Sequence, residues 1–307
     1  MPLVHSASVE LNRTASRPAL RSVLVGLVGE NIQRSRTPRM HMAEGGRQGL
    51  HYTYTLIDTA HRGAGAPSIG DILSCAKLFG FAGLNVTYPF KQAIMTHLDD
   101  VDDGAARVGA VNTVVFRDGR AIGYNTDLWG FAQAFRFEMA GAPNRSVLQL
   151  GAGGAGSAVA NALVECGVSE LVIADIDQGR AEQLAGRFAS GETHVRAARH
   201  GDFADMVFDG IVNTTPVGMD KSPGLPIDPD LLRRQTWVAD IVYFPLETAL
   251  LAKARALGCR TMSGAGMAVF QAVKAFELFT GLPADADAMR VTFESFGTEN
   301  SPVSQPG

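Results

Sequence analysis

The chain has 307 residues, 46% of them apolar and 19% charged, enough to bury the cores of two ordinary domains. A net charge of −4 excludes a general electrostatic attraction to nucleic acid or to an anionic membrane. Three widely spaced cysteines, Cys75, Cys166 and Cys259, form no C-x-x-C pair, and no apolar run reaches the roughly 18–20 residues that span a bilayer. These features predict a reduced, cytoplasmic protein with no metal and no export segment.

In chain order, residues 1–20 read as a loose polar arm. Ser22–Gly29 reads as a buried strand. It leads to Ser35-Arg36-Thr37-Pro38, where Thr37 is expected to cap a helix with Pro38 at its first position. The hydroxyls of Ser35 and Thr37, beside Arg34 and Arg36, suit a carboxylate; a capping threonine among solvated arginines explains the same residues. Tyr52–Ile57 alternates as a strand. Residues 60–66 form a glycine-rich loop, and Ile69–Phe79 reads as a helix. Gly83–Lys91 is a strand that leaves its sheet at Pro89 and starts a helix carrying Lys91, which by itself is readable as a solvated helix residue. Gly109–Phe116 is a further strand, Asp118-Gly119 a two-residue hairpin turn, and Ala121–Asn125 the returning strand. Leu128–Met139 reads as a helix with Asp127 near its start, a position also filled by ordinary helix-start acids.

The stretch Val147–Gly156 carries the strongest local signal. A short apolar run ends in Gly151, Gly153 and Gly156, the G-x-G-x-x-G spacing, and a helix over Ser157–Cys166 follows. A sharp turn needs Gly151, close approach of a pyrophosphate needs Gly153, and tight helix–strand packing needs Gly156, while the helix N-terminus offers its free N–H groups to the anion. Glu170–Asp175 reads as the next buried strand and ends in an acid 19 residues beyond Gly156, where a carboxylate meets an adenosine ribose. The turn Asp175-Ile176-Asp177 has two acids and no adjacent base. That favours NAD, although Arg180, about one helical turn on, keeps NADP open. A helix over residues 178–189, strands at Asp209–Thr214 and Trp237–Tyr243, and helices at Leu246–Leu257 and Gly264–Thr280 complete a doubly wound parallel sheet. Ligands bind beyond the carboxyl ends of such strands. This puts Asn213-Thr214-Thr215-Pro216 and Ile241-Val242-Tyr243 near a cofactor. Residues from about 296 read as a frayed tail.

Taken together, these blocks in this order resemble the shikimate dehydrogenase family, and within it the bacterial quinate/shikimate dehydrogenases, over about residues 22–295. The blocks are Ser35-Arg36-Thr37-Pro38 with His41, Asn85-Val86-Thr87-Tyr88-Pro89-Phe90-Lys91, Gly109–Thr113, Asn125-Thr126-Asp127, Gly151–Gly156, Asn213–Met219 and Gly266-Met267 with Gln271. The resemblance implies an α/β protein of two domains. The substrate domain comprises residues 1–126 and 263–307; the Rossmann domain comprises 127–262. It implies a catalytic pair, Lys91 and Asp127, and substrate contacts from Ser35, Thr37, Thr87, Asn112, Tyr243 and Gln271. It implies cofactor contacts from Gly151, Ala152, Gly153, Gly154, Ala155, Gly156, Asp175, Asp177, Arg180, Thr214, Pro216, Val217, Ile241, Gly264 and Met267. Thr37 stands where many relatives have serine, and Asp175-Ile176-Asp177 stands where they carry an Asn-Arg-Thr/Ser turn for the NADP phosphate. Both departures are similar to the quinate/shikimate subgroup that uses NAD.

The reaction so implied oxidises a ring hydroxyl of shikimate or quinate to a ketone, with Lys91 as acid/base and Asp127 orienting it. A free lysine ammonium titrates at roughly 10.4, so oxidation is expected to quicken as pH rises. Two rivals are a biosynthetic NADP-dependent shikimate dehydrogenase and a non-catalytic NAD-binding sensor, against which the presence of both Lys91 and Asp127 speaks. The sequence leaves monomer and homodimer open.

Overall fold

The structure is a computed structural model and describes residues 21–60, 65, 67–199, 201–203 and 205–295. The predicted arm, the tail and most of the glycine-rich loop lie outside the described residues. In chain order the first half is β1 Ser22–Gly29, α1 Thr37–Arg47, β2 His51–Asp58, α2 Ile69–Leu78, β3 Gly83–Val86, α3 Phe90–Ala93, β4 Asp100–Val101, α4 Asp103–Val108, β5 Thr113–Arg117, β6 Arg120–Tyr124 and α5 Thr126–Glu138. The second half is β7 Ser146–Leu150, α6 Gly154–Glu165, β8 Glu170–Ala174, α7 Gln178–Gly186, β9 His194–Ala198, β10 Gly210–Asn213, β11 Trp237–Asp240, α8 Ala249–Ala256, β12 Thr261–Met262, α9 Gly264–Thr280 and α10 Ala286–Ser295.

Two sheets of six strands result. The first has the order β2-β1-β3-β5-β6-β4, parallel from β2 to β3 and then antiparallel through the β5–β6 hairpin. The second, β12-β11-β10-β7-β8-β9, is parallel throughout. Its near-continuous apolar strands explain why: Val147, Leu148, Leu171, Val172, Ile211, Val212 and Val238 are buried because helices cover both faces. Strand order reverses between β7 and β10, and a crevice opens at such a reversal.

Helix α9 is long, predominantly apolar and shared. Val269, Ala272, Phe276 and Phe279 join Val25, Leu27, Met40 and Tyr52 in the core under the first sheet, with Met289 and Phe293 of α10 closing it. Met267, near its start, packs instead with Phe131 and Phe135 of α5 and with the second sheet.

Several boundaries depart from the sequence reading. Helix α1 begins at Thr37, with Arg36 at the cap position and no side-chain cap, while the Thr37 N–H donates to Ser35 Oγ at 3.3 Å. Thr37 is therefore inside the helix, and the cap-like hydroxyl comes from Ser35. The expected strand from Gly109 begins only at Thr113, because Gly109, at φ 70°, ends α4, a short helix that was not foreseen. Helix α6 starts at Gly154 rather than Ser157, which puts Gly156 inside its first turn. β11 stops at Asp240, so Ile241–Tyr243 is loop. Helix α8 starts only at Ala249, where the Thr248 side chain caps it by accepting from Leu251 N–H.

Candidate functional site

The crevice is built at the ends of β7 and β10. Gly151, at φ 101°, turns the chain out of β7. A Cβ on Gly156 would lie 2.4 Å from the Gly151 carbonyl oxygen and 2.9 Å from Thr214 Oγ1, so only glycine lets α6 press on the strand. From beneath, the buried Gln149 donates through Nε2 to the carbonyls of Gly151 and Gly156 at 2.9 Å each. The Thr214 hydroxyl lies 2.8 and 2.9 Å from the carbonyls of Leu150 and Gly151. Asn213 donates to Asp240 at 3.0 Å and to the Val217 carbonyl at 2.9 Å, tying the loops after β10 and β11 together. By contrast, a Cβ on Gly153 or Gly154 would meet nothing within 4 Å, so internal packing does not account for those two glycines. No side chain caps α6, so its first N–H groups face the crevice, where Gly153, Gly154 and Ala155 form part of the lining.

Asp175 is held in place beside this loop. Its carboxylate accepts from Ala152 N–H at 2.7 Å and from Asp177 N–H at 2.9 Å. Asp177 caps α7 and lies 3.3 Å from the guanidinium of Arg180, so that cation already has a carboxylate beside it. Ile176 between the two acids is 96% exposed.

The glycine loop borders a cleft of about 670 Å³, into which loops and helices around the first sheet and the loop after β11 also reach. Ser35, Thr37, Thr87, Lys91, Asn112, Asp127, Tyr243 and Gln271 all line it, together with Thr214, Pro216, Ile241, Gly264 and Met267. Lys91 Nζ is 2.5 Å from Asp127 Oδ2, with the side chains 25% and 13% exposed. These residues stand 36 apart in sequence; the Lys91 carbonyl accepts from Val111 N–H at 2.8 Å, which ties α3 to the strand entry beside it. The Asn125 amide accepts from Leu128 N–H at 3.0 Å and donates to the Ala110 carbonyl at 2.8 Å, fixing the start of α5 and so Asp127. Asn112 Oδ1 accepts from Thr126 N–H at 2.7 Å; because that donor is a backbone amide, the oxygen must face it, leaving the Asn112 NH₂ for the cleft. Gln271 donates to the Ala268 carbonyl at 3.0 Å. Burial of the Tyr243 hydroxyl pushes it above its ordinary pKa; Asp127 adds to the rise, and Lys91 and Arg36 oppose it.

Gly151, Ala152, Gly156 and Val217 lie outside the lining and support the loops, and Asp175, Asp177 and Arg180 stand apart at the end of β8. Sequence reasoning missed Asn85, Lys221, Phe244 and Phe293, all in the lining. Asn85 shares period-two parity with Thr87, a signal sufficient to put both on one face. Its amide is bonded to Tyr54 at 2.7 Å and to Thr113 at 3.0 Å, in the buried network that also holds Asn112. Among the described residues no group of three His, Cys, Asp or Glu side chains is arranged to hold a metal, and no helix is long and apolar enough to cross a membrane.

Residues 27–114 match the family model of the shikimate dehydrogenase substrate binding domain, and residues 264–290 that of the shikimate 5'-dehydrogenase C-terminal domain. The chain is 48% identical to a quinate/shikimate dehydrogenase (NAD(+)) of Corynebacterium efficiens, over 89% of this chain and 98% of that protein. It is 49% identical to a shikimate dehydrogenase (NADP(+)) of Pseudarthrobacter chlorophenolicus, over 89% of this chain and 94% of that one. Among solved structures, quinate dehydrogenase from Corynebacterium glutamicum in complex with NAD superposes with a TM-score of 0.86 at 46% identity, covering 90% of this chain and 99% of that chain.

Proposed function

The chain belongs to the shikimate dehydrogenase family, and on that premise we propose that it oxidises a ring hydroxyl of quinate and shikimate with NAD, using Lys91 and Asp127. It is an oxidoreductase of the NAD(P)-dependent quinate/shikimate type. The observation that carries the finer reading is the Lys91–Asp127 contact at 2.5 Å, on the cleft wall opposite the uncapped start of α6. The substrate part comprises residues 1–126 and 263–307 and the nucleotide part residues 127–262. Two separate sheets, with α9 and α10 packed on the first, support this division.

The residues present fit a dinucleotide. The open space at Gly153 and Gly154 and the free N–H groups of α6 suit a pyrophosphate, and Asp175 suits an adenosine ribose. When bound, the nicotinamide supplies the hydride acceptor. Everything else falls to the chain. Ser35 and Thr37 take the substrate carboxylate. Thr87, Gln271 and the NH₂ of Asn112 read ring hydroxyls, and Tyr243 closes the site. Lys91 takes the hydroxyl proton as hydride departs and returns it in the reverse direction, while Asp127 holds the Lys91 nitrogen at the reacting hydroxyl. NAD over NADP follows from charge. Asp175 repels a 2′-phosphate, and Arg180 is already beside Asp177.

The test is formation of reduced nicotinamide by the purified protein with quinate or shikimate and with NAD or NADP. Turnover of both acids, faster with NAD, is the expected result. Turnover of shikimate alone with NADP overturns the assignment of Asp175, and no turnover in any combination overturns the catalytic reading.

A further inference from the structure

One wall of the cleft carries a side-chain cluster that no step above uses. Arg34 and Arg36 flank Ser35 in the loop between β1 and α1. Their guanidinium carbons lie 4.2 and 5.6 Å from the centroid of the Phe244 ring. Phe244 belongs to the opposite half of the molecule, in the loop that follows β11. Arg36 also lies 4.8 Å over the ring of Phe293 in α10 and donates from Nη1 to the Phe293 carbonyl at 3.2 Å. The Phe293 ring in turn stands 6.3 Å from that of Tyr243. Three segments remote in sequence therefore meet at one point, and Arg36 is 8% exposed there.

We propose that Phe244 is a positioning residue that couples cofactor binding to substrate binding, by holding the Ser35 loop through the two arginines. The inference rests on the ligand assignments made above. Fixing the side chains of Arg34 and Arg36 fixes the backbone of Ser35 between them and the approach to Thr37. On the other side, Phe244 lies in a loop of which Ile241 is a proposed cofactor contact and Tyr243 a proposed substrate contact. A cofactor that orders Ile241–Phe244 thereby steadies the face on which the arginines rest, and the carboxylate-binding loop is held in place before the acid arrives. Linkage makes this reciprocal: each ligand raises the affinity for the other by the same factor. The attraction of a guanidinium for an aromatic face, weak in water and stronger when desolvated as at Arg36, sets that factor at about 3- to 30-fold.

The experiment is calorimetric titration of the acid that turns over, into the free protein and into protein saturated with reduced nicotinamide cofactor. Acid and cofactor are then both in their reduced forms, so no turnover occurs. The coupling factor is the ratio of the two dissociation constants. Phe244→Leu keeps an apolar side chain but has no aromatic face; it is expected to reduce coupling by about 3- to 30-fold, with kcat at saturation within about threefold of the parent. Phe244→Tyr retains the face and is expected to retain the coupling. Combining Arg34→Ala with Phe244→Leu is expected to cost less than the two single changes together. Unchanged coupling in Phe244→Leu, or strict additivity of the pair, overturns the proposal while leaving the enzymatic reading intact. Absence of turnover with either acid overturns both.

Discussion

Gly130→Ala tests whether the crossing of α5 and α9 sets the geometry of the site. Gly130 lies one turn after Asp127, and a Cβ there would fall 2.7 Å from Gln271 N, 2.8 Å from the Met267 carbonyl oxygen and 3.0 Å from Gln271 Cβ. The nearest of these is about 0.7 Å inside ordinary van der Waals contact, and two of the three are backbone atoms that cannot rotate away. The methyl must therefore push α9 off α5, carrying Gln271 and Met267 away from Asp127 and Lys91. Overpacking of this kind costs about 1–3 kcal/mol, against about 1 kcal/mol gained by replacing a helical glycine. The net change in stability is a loss of up to about 2 kcal/mol, or a few degrees in Tm. Activity should suffer more, because a misplacement near 1 Å in a catalytic constellation costs on the order of 10²-fold. Gly46, inside α1, is the control: a Cβ there meets nothing within 4 Å, so Gly46→Ala should stabilise by about 0.5–1 kcal/mol and leave kinetics alone. Melting curves and kcat/KM for both variants decide the matter. A Gly130→Ala protein with parental kcat/KM and an unchanged or higher Tm refutes the argument.

Lys91→Ala should lower kcat for oxidation by about 10²–10⁴-fold with a much smaller change in KM, read from initial rates; near-normal kcat removes Lys91 from the proton path. Asp175→Ser removes the charge expected to repel a 2′-phosphate and should raise kcat/KM with NADP on the order of 10-fold while lowering it with NAD, in side-by-side assays. His41 is buried among Tyr52, Tyr54, Phe276 and Phe279, and burial pushes its pKa down to about 3. The unfolded chain protonates this side chain near its ordinary value of about 6.5, so the native state loses stability as pH falls from there towards 3, by up to about 1.4 kcal/mol per unit. Urea unfolding at pH 7, 5.5 and 4.5 should show a steeper loss of stability than in His41→Leu, which keeps only the slope from carboxylates such as Asp58 and Glu170; identical slopes in the two proteins count against a neutral buried His41.

Much of the second sheet was legible because its signals are local. A run such as Val147–Leu150 ending in Gly151 needs only its own sequence to read as strand and turn, and Asp175 falls at a fixed offset from it. The edges of elements were less legible, because what ends them is often a distant contact: β11 stops where Asp240 bonds Asn213 and Thr248. Lys91 and Asp127 read individually as ordinary helix residues, and only the order of motifs joined them. Phe293 had no signal at all. It gains its role by lying against Arg36, 257 residues away in the chain, and no periodicity within α10 encodes that meeting. The expected Thr37 cap is displaced for a local reason: Thr37 is already the first residue of α1, and its N–H turns back to Ser35 Oγ.

The shared position of α9 bears on how this protein is made. The first sheet leaves the ribosome early, all of its strands complete by Tyr124, yet the apolar face formed by Val25, Leu27 and Tyr52 is covered by Val269, Phe276, Phe279, Met289 and Phe293, which are synthesised last. During translation the second sheet can close on its own helices while the earlier sheet waits with one side bare. The half of the molecule that begins first therefore finishes last, and a chain interrupted anywhere before Gly264 presents an unshielded hydrophobic surface to chaperones and proteases.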